Sequence, residues 1–250
     1  MASLSFIVGI IGNVISILMF LAPVKTFKRI VQKKSTENFK GIPYITTLLS
    51  TSLWSFYGLL KPGGLLVVTV NGTGVVLHII YVSLFLIYAP KNTKIRSLKM
   101  VGIINVAFLG AVVAVTLSAL HGNTKLMSVG LLCTGLTIGM YASPLSAMRT
   151  VIKMKSVEYM PFWLSFFQVL NGGIWASYAM LVRDLYIGIP NGIGFLLGSA
   201  QIILYFIYYQ STPAKEEEGP AHLEKGGIEM PNHDATKSNG KDPSEARAHT

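Results

Sequence analysis

The sequence predicts an all-α membrane protein with seven transmembrane helices, in which two parallel three-helix bundles are joined by a linker helix (3+1+3). Hydrophobic residues make up 51% of the chain and charged residues only 13%, whereas charged residues make up about 25% of a typical soluble domain. The apolar residues gather in seven runs, most of them long enough to cross a bilayer. The first three runs also resemble the last three in the spacing of their proline, aromatic and amide residues.

The seven apolar runs predict where the helices lie. A bilayer core about 30 Å thick requires about 20 apolar residues in a helix. The runs cover approximately residues 4–27, 42–60, 65–89, 98–120, 126–148, 160–183 and 185–208. The first run lacks a basic start, and we interpret it as a retained helix rather than a signal peptide. Cys133 is the only cysteine, which excludes an internal disulfide.

The distribution of basic residues predicts the orientation of the helices. Counted together with the basic residues at the ends of the adjoining runs, the six loops and the tail after the last run hold 6, 1, 4, 1, 3, 1 and 5 Lys or Arg residues in turn. Alternate loops and the tail therefore carry 18 of the 21 basic residues, and an excess of such residues marks the cytoplasmic side. We predict an outer or luminal N-terminus and a cytosolic C-terminus. The net charge of +10 then reflects topology rather than binding to nucleic acid, and no nucleic-acid partner is expected.

The internal repeat predicts the domain organisation. Five pairs of like residues are separated by 121 positions: Pro23 and Pro144, Ser35 and Ser156, Glu37 and Glu158, Trp54 and Trp175, and Tyr57 and Tyr178. A single helix between the halves gives them the same orientation, so the repeats are parallel and related by an axis along the membrane normal. We place the first repeat at residues 1–94, the linker helix at 95–122 and the second repeat at 123–210. Residues 211–250 are polar and predict a disordered cytosolic tail.

Two asparagines in apolar runs predict a polar pocket between the repeats. Asn71 and Asn191 are separated by 120 residues, and each is followed by glycine. An amide in hydrocarbon is costly unless it is hydrogen-bonded. Both asparagines lie about six residues, or about 9 Å, inside the outer end of a helix, at the depth of Trp54 and Trp175. Amides that bond hydroxyl groups and aromatic faces that cover a ring suit a small polyhydroxylated solute such as a sugar.

Helical stripes extend this candidate pocket. Ser50, Trp54 and Tyr57 share one helical face, and Ser16 and Met19 share another. Their counterparts 121 residues later are Asn171, Trp175, Tyr178, Thr137 and Met140. The alternative is that the amides join helices, the aromatic residues lie at the membrane interface, and the hydroxyl and methionine side chains pack in the core.

Four prolines predict hinges at the cytoplasmic ends of helices. Pro23, Pro43, Pro144 and Pro161 occupy related positions in the two repeats, and each removes a backbone donor from its helix. Hinges at one face would allow one repeat to rock against the other during alternating access. The alternative is that these prolines only terminate helices.

The near absence of acidic residues from the apolar runs limits the possible transport mechanisms. Asp184 lies at the boundary of an apolar run, and the other acidic residues lie in loops or the tail. A proton-coupled carrier usually needs a buried carboxylate, and His78 is the one other candidate proton-binding group in a helix interior. We therefore favour passive transport, and we predict no enzymatic activity. The sequence shows neither a cluster of metal ligands nor a phosphate-binding loop, so we expect no cofactor.

Several motifs resemble those of the plant SWEET sugar transporters. They are Phe20-Leu21-Ala22-Pro23, Pro43-Tyr44, Tyr141-Ala142-Ser143-Pro144-Leu145, Lys155-Ser156-Val157-Glu158-Tyr159-Met160-Pro161-Phe162 and Pro190-Asn191. The resemblance covers about residues 5–210 and implies bidirectional, energy-independent movement of mono- or disaccharides across a lipid bilayer. It also implies homo-oligomers, or hetero-oligomers with other family members.

The resemblance assigns roles to particular residues. It makes Pro23, Pro43, Pro144 and Pro161 the cytoplasmic hinge. It makes Asn71, Asn191 and Trp175 sugar contacts, with Trp54 as the partner of Trp175 in the first repeat. The segments Asn171-Gly172-Gly173 and Asn191-Gly192-Ile193-Gly194 are most similar to those of the vacuolar hexose branch, which implies fructose or glucose transport across the tonoplast, with the plasma membrane as second choice. Asn171 stands where the first repeat has Ser50, so the predicted pocket is not symmetric.

Two other functions remain open at this point. A seven-helix receptor would have the same topology, but it would usually lack a three-helix repeat. A membrane protein that only binds partners would transport no solute. Such a protein would keep its function when Asn71 or Asn191 is truncated.

Overall fold

The structure is a computed structural model that describes residues 2–158 and 160–210, and every regular element in these ranges is helical. The helices are α1 (Ala2–Leu21), α2 (Val24–Lys33), α3 (Ile42–Leu60), α4 (Leu65–Tyr88), α5 (Lys91–Met100), α6 (Leu109–Ser118), α7 (Asn123–Met140), α8 (Ala142–Met154), α9 (Phe162–Val182) and α10 (Leu185–Tyr208). A π-helical segment, Val101–Phe108, joins α5 to α6. The predicted tail lies outside the described residues.

The all-helical 3+1+3 arrangement is confirmed. Helices α3, α4, α9 and α10 agree with their predicted runs to within two residues. In the described chain, the helical stretches long and apolar enough to cross a membrane are Leu4–Lys33, Leu65–Tyr88, Lys91–Ser118, Asn123–Met154 and Leu185–Tyr208. The remaining two of the seven spans, α3 and α9, are 19 and 21 residues long. They are less apolar because they carry several Ser, Thr, Tyr, Trp, Asn and Gln residues, among them six of the candidate pocket and gate residues.

The first helix of each repeat differs from its prediction. We expected helices to end near residues 27 and 148, with a basic loop from Lys25 to Lys40. Instead α1 breaks at Pro23 and the chain continues as α2, which buries Phe27 and Ile30. In the second repeat α7 ends at Met140 and α8 begins at Ala142. Proline interrupts the backbone hydrogen bonds of a helix, but a new helix can begin directly after it. Helices α2 and α8 therefore continue α1 and α7 along the cytoplasmic side.

The linker helix begins earlier than predicted. Helical structure starts at Lys91 rather than near residue 98, because four basic residues made this stretch resemble a loop although they are good helix formers. In the π-helical segment Asn105 donates its Nδ2 hydrogen to the carbonyl of Ile45, at 3.2 Å. This bond ties the linker to α3 of the first repeat.

The two repeats pack against each other through their first helices. Helix α1 contacts α4 of its own repeat and α9 of the other, and α7 contacts α10 of its own repeat and α3 of the other. Each first helix therefore lies between its own third helix and the second helix of the opposite repeat. This exchange of contacts places α1, α3, α7 and α9 around the repeat interface.

The apolar clusters show which end of this interface is closed. We call the side with the basic loops the cytoplasmic side and the opposite side the outer side. The cluster that includes Tyr57, Val70, Cys133 and Trp175 joins both repeats in the outer half. On the cytoplasmic side, one cluster around Phe27 belongs to the first repeat and another around Val151 to the second. Within the described residues, the repeats thus share a buried core only toward the outer side.

Candidate functional site

Two tryptophans bond across the repeat interface in equivalent ways. The indole N–H of Trp54 on α3 donates to Thr137 Oγ1 on α7, at 3.1 Å. The indole N–H of Trp175 on α9 donates to Ser16 Oγ on α1, at 2.9 Å. Both tryptophans and both hydroxyl residues are separated by 121 positions. The structure therefore brings four of the predicted pocket residues together as two related pairs, each of which spans both repeats.

The two pairs differ in the acceptor to which the hydroxyl group donates its own hydrogen bond. Ser16 donates to Asn171 Oδ1 at 2.6 Å, which links Trp175, Ser16 and Asn171 in one chain of hydrogen bonds. Thr137 instead donates to the backbone carbonyl of Cys133 at 2.8 Å, on its own helix. The difference arises because the counterpart of Asn171 is Ser50, which is partly buried and makes no hydrogen bond from its side chain to the described residues. The site is thus more polar on the side of the second repeat.

The two asparagines have matching environments. The Nδ2 group of Asn71 donates to the carbonyl of Val67 at 2.9 Å, and that of Asn191 to the carbonyl of Ile187 at 2.8 Å. Each lies six positions after the first residue of its helix and is partly buried. Neither Oδ1 atom accepts a hydrogen bond from the described residues, so each amide has an acceptor left for a ligand. That Asn71 and Asn191 line one polar pocket between the repeats stays a prediction.

The two candidate methionines follow the hydroxyl residues by one turn. Met19 lies three positions after Ser16, and Met140 three positions after Thr137. Met19 is partly buried, whereas Met140 is exposed. Both lie on the cytoplasmic side of the tryptophan bonds, toward the end where the repeats share no buried core. Their role as pocket walls stays a prediction.

A buried carboxylate closes the outer side of the interface. Asp184 precedes α10 and its side chain is 1% exposed. Its Oδ1 accepts the backbone N–H groups of Tyr186 and Ile187, at 2.9 and 3.1 Å. Its Oδ2 accepts the hydroxyl of Tyr57 at 2.8 Å and forms an ion pair with Lys61 of the first repeat. A desolvated carboxylate is stable only with such partners, so this contact holds the repeats together.

The sequence pattern does not predict this contact. It places Asp184 at the boundary of an apolar run and Lys61 in the second loop, whose one basic residue it is. The sequence does single out Asp184 as a candidate, because it is the one acidic residue on the outer side among residues 1–210. The partner across the interface was not apparent, because the two residues are separated by 123 positions.

The two candidate gate tyrosines differ in their contacts. Tyr57 packs edge-to-face on Trp54, with ring centroids 5.4 Å apart, and also bonds to Asp184. Tyr178 packs edge-to-face on Trp175, with ring centroids 5.3 Å apart, and lies against α1 near Gly9. Tyr57 therefore takes part in the outer closure directly, whereas Tyr178 supports the tryptophan of the second repeat.

The four prolines lie where chain segments change direction on the cytoplasmic side. Pro23 separates α1 from α2 and Pro43 lies in the first turn of α3. Pro144 lies in the first turn of α8 rather than at a helix end, and Pro161 directly precedes α9. All four remain partly or fully exposed. Their positions are compatible with hinges, and the hinge function stays a prediction.

His78 is a packed residue in this structure. Its side chain is buried, and Nδ1 lies 2.7 Å from the carbonyl of Gly74 on the same helix. The ring contacts Phe20 and Tyr81 edge-to-face. These contacts place it between α1 and α4, within the first repeat. In the described residues no group of three or more His, Cys, Asp or Glu side chains could hold a metal ion.

Comparison with known proteins identifies relatives over most of the chain. A family model described as a sugar efflux transporter for intercellular exchange matches residues 6–93 and 127–213. The chain is 58% identical to bidirectional sugar transporter SWEET16 of Oryza sativa subsp. japonica, covering 92% of this chain and 74% of that protein. It is 51% identical to bidirectional sugar transporter SWEET17 of Arabidopsis thaliana, covering 89% and 93%.

A solved structure shows the same fold. A eukaryotic SWEET transporter matches with a TM-score of 0.78 and 38% sequence identity. The match covers 82% of this chain and 97% of the other. The likeness therefore extends over almost the whole of that chain.

Proposed function

The chain belongs to the SWEET family of multi-pass sugar transporters, and on this premise we propose that it moves sugars in both directions across a membrane without an energy source. The observation that carries the proposal is the pair of tryptophan–hydroxyl bonds that span the two repeats. At the same depth lie Asn71 and Asn191, whose Oδ1 atoms have no partner among the described residues. Amide acceptors beside indole rings fit the hydroxyl groups and the C–H faces of a sugar ring.

Alternating access is the transport mechanism that this arrangement supports. The outer side is closed by the shared apolar cluster and by the contacts of Asp184 with Tyr57 and Lys61. On the cytoplasmic side the apolar clusters stay within single repeats. A sugar between the repeats would therefore enter and leave from the cytoplasmic side in this state. Rocking about the four prolines would close that side and open the outer one.

The contacts of the titratable groups support passive movement. Asp184 is the one acidic residue on the outer side among the described residues, and both its oxygens are occupied by partners in the outer closure. His78 packs within the first repeat, away from the repeat interface. Neither group is placed to accept a proton beside a sugar bound near Asn71 and Asn191. We propose that the sugar gradient alone drives transport.

The finer assignments extend the same proposal. The relatives named SWEET16 and SWEET17 support the vacuolar hexose branch that the sequence motifs resemble. We propose fructose and glucose as substrates and the tonoplast as the membrane, ahead of the plasma membrane. We also propose assembly into homo-oligomers, or hetero-oligomers with other family members. The relatives are named as transporters, and they give no support to the alternative of a receptor or a partner-binding protein without solute flux.

Uptake into liposomes tests the proposal. Purified protein in liposomes is given radiolabelled glucose, fructose or sucrose with no proton gradient, and the initial rate is measured against concentration. We expect saturable uptake by wild type and loss of most of it in Asn191→Ala. Asn92→Ala is the matched control, because Asn92 is an exposed amide on α5. Its uptake should equal that of wild type.

Three results would contradict the proposal in different ways. Uptake only under an imposed proton gradient would exclude passive transport and direct attention to His78. Full activity of folded Asn191→Ala would remove this asparagine from the sugar site. The absence of flux for every sugar in folded wild type would reject transport of these sugars altogether.

A further inference from the structure

Helix α10 contains a proline immediately before the candidate sugar contact. Pro190 is buried inside the helix and has no N–H group. The carbonyl four residues earlier, that of Tyr186, therefore lacks its usual helical donor. Thr134 on α7 supplies one, because its hydroxyl donates to this carbonyl at 3.0 Å. The first repeat has the equivalent bond, from Asn13 to the carbonyl of Leu66 at 3.0 Å, so this contact between helices is common to both repeats and in the second repeat it also satisfies the carbonyl freed by Pro190.

A second hydroxyl from the same side bonds to the proline itself. Tyr141, at the junction of α7 and α8, donates to the carbonyl of Pro190 at 2.6 Å. Its ring reaches this carbonyl because Gly194 leaves room for it. A Cβ atom at Gly194 would lie 2.5 Å from the tyrosine oxygen but 3.2 Å from the ring carbon that carries it. The space beside α10 is therefore fitted to the hydroxyl.

The first repeat provides an internal comparison. The counterpart of Pro190 is Val70, which keeps its N–H group, and the counterpart of Tyr141 is Phe20, which has no hydroxyl. Phe20 packs against Gly74 just as Tyr141 packs against Gly194. The ring contact is thus common to both repeats, whereas the hydroxyl occurs only beside the helix that contains proline. Packing alone would not require this difference.

We propose that Tyr141 is a positioning residue for sugar binding, which acts by holding α10 at its proline break so that Asn191 presents its amide to the sugar. This inference rests on the proposed function, in which Asn191 contacts the sugar. Asn191 bonds to the carbonyl of Ile187, in the turn that lacks one backbone hydrogen bond because of Pro190. Tyr141 and Thr134 fix the carbonyls on either side of that turn. Without them the amide would have more freedom to leave its bound position.

The first test removes only the hydroxyl. Tyr141→Phe should raise the KM for sugar about three- to tenfold, the factor expected for one intramolecular hydrogen bond. The maximal rate should stay within about twofold, because the substitution leaves the hinges and the outer closure unchanged. Tyr205→Phe is the matched control. It removes a hydroxyl from the same repeat that makes no hydrogen bond to the described residues, and its KM should equal that of wild type.

The second test uses the fit between Gly194 and the tyrosine oxygen. Gly194→Ala should raise KM in the wild-type background, because the new methyl group displaces the hydroxyl from the carbonyl of Pro190. The same substitution in a Tyr141→Phe background should raise KM by a smaller factor, since the nearest ring carbon lies 3.2 Å away and has to shift by only a few tenths of an ångström. Gly135→Ala on α7 is the control, because a Cβ there meets nothing within 4 Å.

The outcomes separate this inference from the function on which it rests. If wild type transports sugar and Tyr141→Phe has an unchanged KM, the positioning role is rejected while the transporter remains. If wild type transports no sugar, the proposed function itself is rejected. If Tyr141→Phe lowers both the maximal rate and the unfolding temperature but leaves KM unchanged, the hydrogen bond stabilises the fold and does not position Asn191 for sugar binding. If Tyr141→Phe does not fold, the test rests on Gly194→Ala alone. An unchanged KM in Gly194→Ala then rejects the inference.

Discussion

Tyr57 on α3 and Asp184 before α10 are joined by a hydrogen bond of 2.8 Å that links the two repeats on the outer side. Lys61 pairs with the same carboxylate oxygen. The lone cysteine, Cys133, is buried in the apolar cluster that also contains Tyr57. Opening of the outer side would separate the repeats at this cluster. The reactivity of Cys133 toward a thiol reagent added outside therefore reports that opening.

Replacement of Lys61 by methionine should favour the outward-open state. The change leaves the carboxylate of Asp184 almost wholly buried without its cation, which is costly in the closed state. About 1.4 kcal/mol of lost closed-state stability raises the open population tenfold. We expect the rate of Cys133 modification by a membrane-impermeant thiol reagent to rise at least about tenfold.

A second lysine on the outer side provides the control for this experiment. Lys125 is partly buried, and its side chain forms no ion pair among the described residues, donating only to the carbonyl of Leu117 at 3.4 Å. In the Lys125→Met variant, the thiol reagent should modify Cys133 at the wild-type rate. Equal labelling of the Lys61 and Lys125 variants would show that the ion pair does not hold the outer side closed.

Replacement of Ser16 by alanine should be more harmful than replacement of Thr137 by valine. Ser16→Ala removes the acceptor of Trp175 and the donor to Asn171, whereas Thr137→Val leaves only the indole of Trp54 unpaired. A buried group left unpaired costs about 1–3 kcal/mol. Thermal unfolding and the KM for sugar should both change more in Ser16→Ala.

A serine whose hydrogen bond stays within one helix serves as the control for these two substitutions. Ser199 bonds only to the carbonyl of Phe195 on its own helix, at 2.8 Å. Ser199→Ala should therefore unfold at the wild-type temperature. If Thr137→Val were the more harmful of the two pocket variants, the hydrogen-bond chain through Ser16 would not explain the asymmetry of the site.

The sequence was sufficient to predict the seven helices because apolar length and loop charge depend on local composition. It also paired the halves, since a residue such as Trp54 recurs at a constant offset. It failed just after Pro23, where a basic loop was expected and the chain continues as α2, because a proline can either end a helix or begin the next one. The sequence could not show that Trp54 donates a hydrogen bond to Thr137, or that Thr134 donates one to the carbonyl of Tyr186. Such partners belong to different helices and depend on how the helices pack.

Two equivalent glycines should respond differently to substitution by alanine. A Cβ at Gly9 would meet a terminal methyl group of Leu66, which can move aside, and would lie 3.1 Å from the ring of Tyr178, which has to shift by only a few tenths of an ångström. A Cβ at Gly130 would lie 2.6 Å from the ring of Tyr186, which is large and rigid. We expect Gly130→Ala to lower the stability by about 1–3 kcal/mol and Gly9→Ala by clearly less, as measured by thermal unfolding in detergent. A reversed order would show that Leu66 is the more rigid neighbour.

The cytoplasmic turn after α2 should become less ordered only in acid. Hydrogen bonds from Arg29 and then Lys33 hold the pKa of Glu37 below its ordinary value of 4.5. A carboxyl group with a lowered pKa contributes stability above its unfolded pKa and loses it as pH falls through the folded pKa. Hydrogen-exchange protection of residues 34–41, corrected for intrinsic rates, should therefore stay constant from pH 7 to about 5 and decline below 4.5. Glu37→Gln should show weaker protection at pH 7 and no such decline. A decline that is the same in both proteins would assign the acid sensitivity to another group.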